Sequence, residues 1–158
     1  MTNINLIGLL IGWLLGVLSA IIADITIMII KDRKIKTNLS CILKGEINLN
    51  LNSISKILNK ELGWKFCNDV FNNFFEHIPL LGKKLSQEII FFYYTLERKN
   101  REFNRFEDLN QTEMLTIWHS PEWEEMIQEW VRLQELGREI SDELKEICKY
   151  DPQSNSES

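Results

Sequence analysis

From Ile4 to Ile30 the chain is apolar at every position except Asn5, Ser19, Asp24 and Thr26. Read as a helix at about 1.5 Å per residue, this run exceeds the roughly 30 Å hydrocarbon core of a bilayer, which predicts one tilted transmembrane helix. Beyond it the pattern turns from continuous to periodic. Ile35, Leu39, Ile42, Leu43, Ile47, Leu51, Ile54, Leu58 and Leu62 follow one another at helical steps, which predicts a helix with a core-facing stripe that stops at Gly63. Gly45 and the Asn-rich stretch from Asn48 to Asn52 weaken helix propensity midway and predict a bend or break, with Asn48, Asn50 and Asn52 on a solvated face. Trp64, Cys67, Phe71, Phe74 and Phe75 share the face of a short helix that breaks at Ile78-Pro79-Leu80-Leu81-Gly82.

Two further helices complete the pattern. One runs from Lys83 to Asp108 with a stripe of Leu85, Ile89, Phe92, Leu96, Phe103 and Phe106. The other has the firmest start in the chain: Ser120 as N-cap, Pro121 at the first helical position, and Glu122, Glu124 and Glu125 in the first turn. Its apolar positions, Met126, Trp130, Leu133, Gly137, Ile140, Leu144 and Ile147, repeat in steps of four and three, as in a bundle helix or a coiled-coil contact. The predicted class is all-α, a transmembrane helix (1–30) continuing into a cytoplasmic antiparallel bundle (31–150) of three long helices plus one short, with a disordered tail (151–158).

Charge orients this plan. Lys31, Arg33, Lys34 and Lys36 follow the apolar run directly, whereas Met1-Thr2-Asn3 carries no basic side chain. The positive-inside rule then puts the helical domain in the cytoplasm and the N-terminus outside, with the four cations at the membrane interface. An uncharged start and so long an apolar run also argue against a cleaved signal peptide. The net charge of −5 hides a gradient: residues 31–65 hold eight Lys/Arg against three Asp/Glu, and residues 109–158 hold four against twelve. A basic surface does not dominate, which disfavours nucleic acid as a partner; the acidic last helix is a docking face for a protein.

Within the apolar run, Gly8, Gly12, Gly16 and Ala20 recur at every fourth position, the spacing that lets membrane helices approach closely. A second row, Gly12, Gly16, Ser19 and Ala23, follows a seven-residue repeat and suits a left-handed packing. Both rows point to a homo-oligomer. Asp24 continues the first row, about 10 Å from the midplane if the span is centred on the run. Two placements compete: in the hydrocarbon, where its carboxylate lines an assembly as a pore or gate, or one turn further out among the headgroups.

Reaction chemistry is hard to place. No GxxxxGK[ST], GxGxxG, GxSxG, HExxH or CxxC motif occurs. The adjacent carboxylates Glu124/Glu125 and Asp142/Glu143 point apart on a helix and make poor acid/base pairs. No catalytic residue and no cofactor is expected. His77 and His119 are the only histidines, and Cys41, Cys67 and Cys148 are widely spaced, so no metal site is expected and the cysteines read as separate, largely buried thiols. Arg98, Arg101 and Arg105 share a face and could grip an anion, though Glu97 and Glu102 lie within reach to neutralise them.

The apolar span, the Lys31–Lys36 stop, the Glu46-Ile47-x-Leu-Asn50-Leu51 helix and the Tyr93-Tyr94-x-Leu96-Glu97-Arg98 helix resemble those of small bacterial membrane-anchored helical proteins. Some of these act as phage-defence or CRISPR-associated membrane effectors. The resemblance implies a non-enzymatic, self-associating protein of the bacterial inner membrane whose cytoplasmic domain senses or docks a partner. In its sharper form it implies a pore-forming or membrane-perturbing defence effector. A monomeric scaffold or accessory subunit of a membrane complex is the alternative.

Overall fold

The computed structural model describes residues 3–61, 63–103 and 111–149. Among these residues the chain is all-helical: α1 (Asn3–Leu58), α2 (Asp69–Asn73), a short 3-10 helix (Phe75–Leu81), α3 (Lys83–Phe103), α4 (Gln111–Trp118) and α5 (Pro121–Cys148). By compactness the chain divides into Met1–Ile35 and Lys36–Ser158. In the first unit every large apolar side chain from Leu9 to Ile30 is between 40% and 75% exposed. The second unit holds the core.

That core is built from the stripes read in the sequence. Leu39, Leu43, Ile47 and Ile54 of α1 meet Leu85, Ile89, Phe92 and Leu96 of α3 and Trp130, Leu133, Ile140 and Leu144 of α5 in one buried cluster. α5 begins as its sequence requires: the Ser120 hydroxyl accepts a hydrogen bond from the Trp123 N–H at 3.3 Å, with Pro121 in the first turn. This satisfies one of the orphan donors at a helix start. Gly137 sits where helices approach most closely. A Cβ there would lie 2.7 Å from the Phe92 ring and 2.8 Å from Leu51, so only glycine leaves room for both.

Paired side chains reveal how α5 lies against the domain portion of α1. Cys41 faces Cys148, Asn48 Oδ1 accepts from the Ser141 hydroxyl at 2.9 Å, and Ser55 Oγ accepts from Gln134 Nε2 at 2.8 Å. Each forward step of seven residues on α1 is a backward step of seven on α5, which requires opposite chain directions and a straight seam. Lys84 with Glu143 and Lys99 with Glu129 set the same opposed directions for α3 and α5.

Three local expectations are corrected. α1 passes through Gly45 and Asn48–Asn52 without a break and stops at Leu58, with Lys60 (φ 59°) and Gly63 (φ 80°) in the left-handed region. The helix survives because the amides of Asn48 and Asn50 are engaged elsewhere in the fold and do not compete for their own backbone. Asn50, expected on a solvated face, is wholly buried. The segment from Trp64 to Asn68 is not helical, for a reason given below. Leu62, Phe106, Asp108 and the tail 151–158 lie outside the described residues.

Candidate membrane span and the polar contacts of the domain

Among the described residues one helix is long and apolar enough to cross a membrane. None of its apolar stretch is buried inside the protein. Gly8, Gly12, Gly16 and Ala20 are all exposed, and a Cβ built on any of the three glycines meets nothing within 4 Å. The row is therefore an open shallow strip with no use in packing its own chain. Asp24 is exposed and has no ion pair among the described residues. The Thr26 hydroxyl is satisfied locally by the Ile22 carbonyl at 2.7 Å, an arrangement that suits an apolar environment. Lys31, Arg33 and Lys34 are exposed and Lys36 half-buried.

In the domain, sequence reasoning missed a polar row on α1. Glu46, Asn50 and Ser53 are buried on one face at helical steps, and each takes hydrogen bonds from the backbone that follows the helix. Asn50 holds Cys67 at both ends, its Nδ2 donating to the Cys67 carbonyl at 2.7 Å and its Oδ1 accepting from the Cys67 N–H at 2.8 Å. Ser53 does the same for Lys65. The Glu46 carboxylate accepts from Val70 N–H at 2.7 Å, from Phe71 N–H at 3.2 Å and from the Tyr93 hydroxyl at 2.6 Å. Asn50 and Ser53 take the backbone groups of Cys67 and Lys65, which is why the Lys65–Cys67 stretch need not become helix to satisfy its backbone, while the Glu46 carboxylate accepts from the first-turn N–H groups of α2. Burial, reinforced by the Glu46 carboxylate, pushes the Tyr93 phenol well above its ordinary value and keeps it a neutral donor. With three donors and an enclosed setting, Glu46 is held as a structural acceptor, not as a general base.

A second ionic cluster joins α3 to α5. Lys99, 7% exposed, pairs with Glu102 at 2.9 Å and with Glu129. Burial opposes the charge on Lys99, yet its hydrogen bonds to Glu129 and Glu102 prevail and hold the ammonium above its ordinary range. The same hydrogen bond holds the Glu129 carboxyl below its own. Next to this cluster lies an aromatic group in which Phe103 meets Trp64, Trp123 and Trp130 edge-on or tilted, with centroids 5.3 to 5.7 Å apart, and Phe66 stacks on Trp130. Among the described residues the buried indole N–H groups of Trp118, Trp123 and Trp130 have no acceptor.

The cysteines correct another expectation. Cys41 and Cys148, read as separate thiols, are joined, with Cα atoms 5.6 Å apart across 107 residues. They close the end of the α1/α5 seam, a register invisible at that separation in the sequence. Cys67 is a half-buried thiol. No group of three His, Cys, Asp or Glu able to hold a metal occurs among the described residues.

Of the arginine face, Arg98 and Arg101 are exposed, and Arg101 pairs with Glu97 of its own helix at 3.3 Å. Arg105 lies outside the described residues. An open groove of about 410 Å³ lies elsewhere, at the start of α3 and the end of α5, lined by Lys84, Leu85, Glu143 and Ile147 among others. No family model, no curated protein and no solved structure matches this chain.

Proposed function

We propose that the chain is a non-enzymatic, self-associating single-pass protein of the bacterial inner membrane, whose helical domain lies in the cytoplasm and docks a partner. The observation that carries this reading is the uncovered apolar helix. From Gly8 to Ile30 all 23 positions are exposed and 20 of them are apolar, an amount of exposed apolar surface that water does not tolerate and lipid does. Self-association follows from the strip through Gly8, Gly12, Gly16 and Ala20, which serves nothing within its own chain. Asp24, on the same row, gains a setting compatible with its carboxylate either between copies or among the headgroups. In the first case the assembly is a pore or gate.

Orientation rests on the cations from Lys31 to Lys36, which act when the span inserts. The Cys41–Cys148 pair is compatible with that side of the membrane as an exchangeable pair, held reduced by cytosolic thiols and closed on oxidation.

The test replaces Gly12 and Gly16 with Ile. Both positions are sterically open in the single chain, so any effect reports contact with another copy. Sedimentation in detergent should show the wild type as an oligomer and the double variant as a smaller species with an unchanged helical spectrum. A double variant as large as an oligomeric wild type would overturn association through the glycine strip, and a monomeric wild type would favour the scaffold.

A further inference from the structure

Two helix faces of the domain carry opposite charge and lack cover. On α3, Phe91 is 63% and Tyr94 59% exposed, and Arg98 and Arg101 continue the same face. At about 100° per residue the four fall within an arc of about 80°. Arg98 has no ion pair among the described residues, and Arg101 meets only Glu97 of its own helix, in an exposed pair that is weakly held. Two large aromatics bordered by arginines have the composition of an interface centre. On α5, Glu124, Glu125, Glu135 and Glu139 are exposed around Val131, itself 37% exposed, with Arg132 and Arg138 exposed among them, which leaves the face acidic by two charges. These four carboxylates have no ion pair among the described residues.

We infer that the Phe91–Arg101 face of α3 docks on the acidic face of α5 of a second copy. Within one chain α3 and α5 run in opposite directions, with Lys84 level with Glu143 and Lys99 level with Glu129. A head-to-tail packing that keeps the helix directions found within one chain puts the same levels opposite each other between neighbours. That brings Arg98 and Arg101 within side-chain reach of Glu124 and Glu125, and Tyr94 and Phe91 beside Val131 and Glu135. The match is between two different faces of each copy, so contacts run head to tail and build a ring or an open array. This inference rests on the self-association proposed above and names the surface by which the domains join it.

The test uses the full chain in detergent, with one variant carrying Arg98→Glu and Arg101→Glu and a second carrying Glu124→Arg and Glu125→Arg. Each alone should weaken association by about tenfold or more, and the wild type should dissociate as salt rises from about 0.05 to about 0.5 M. Mixing the two variants should restore assembly, because the reversed faces match each other. Should the second variant not fold, Glu124→Gln with Glu125→Gln replaces it and must weaken association with a shallower salt dependence. If folded variants assemble as the wild type does, or the mixture stays apart, the inference is overturned. Loss of assembly in the Gly12/Gly16 variant alone would then leave the span contact standing, whereas a wild type that is monomeric throughout would overturn both.

Discussion

At the scale of single residues, Lys99 shows which member of an ionic cluster matters. Its ammonium is buried, whereas Glu102 and Glu129 keep about half of their side-chain surface in water. Removing the cation therefore strands nothing, but removing both carboxylates leaves a buried charge without a partner. Lys99→Met should change unfolding free energy by less than about 1 kcal/mol, while Glu102→Gln with Glu129→Gln should cost about 2 to 3 kcal/mol in a denaturant titration. The pH dependence follows from the same geometry. Glu129 is held below its ordinary range, so its contribution is present above the unfolded carboxyl value, about 4.3, and fades as pH falls through the lower folded one. Lys99 is held above its range, so its contribution is full below about 10.4 and fades as pH rises through the higher folded value. Between those limits the cluster should contribute a flat plateau, and the Lys99→Met variant should lose both shoulders.

Two glycines in helices should answer to alanine with opposite signs. Gly45 has nothing within 4 Å of a built Cβ, so Gly45→Ala should gain about 0.5 to 1 kcal/mol from helix propensity. Gly137→Ala drives a methyl into Phe92 and Leu51 and should lose about 1 to 3 kcal/mol despite the same propensity gain. Thermal melts of the two variants moving in the same direction would contradict the packing described here.

At the scale of elements, two devices hold the domain: the Glu46/Asn50/Ser53 row that clamps Lys65–Phe71, and the seam of α1 against α5. The apolar stripes were legible, because burial repeats at helical steps whatever the partner: Leu39, Leu43, Ile47, Leu85, Ile89, Phe92, Trp130 and Ile140 are all buried. The start of α5 was legible too, since an N-cap is a local arrangement. The polar devices were not. Asn50 reads as a surface residue until its amide is seen holding Cys67, and in place of the expected Trp64–Phe75 helix stand a non-helical segment, the short α2 and the start of the 3-10 helix. The pairing of Cys41 with Cys148 depends on a register set by every residue between them. That pair closes a loop of 107 residues, which the chain-entropy model values at about 4 to 5 kcal/mol. Domain melting should fall by roughly 10 to 20 °C on reduction, and Cys148→Ser should abolish the difference between oxidising and reducing buffer; an unchanged difference in that variant would show that the seam is not joined there.

At the scale of the whole molecule, the candidate site was legible in a way the domain contacts were not, because a membrane span needs no tertiary partner to declare itself. The run from Ile4 to Ile30 and the cations after it are readable from one sequence, and the open strip of Gly8, Gly12 and Gly16 adds only that none of the described residues covers it. Whether lipid covers the apolar helix is decided by washing membranes from cells expressing the full chain in alkaline carbonate and spinning them down: the protein should stay in the pellet and leave it only with detergent, and its appearance in the carbonate supernatant would rule out a membrane span.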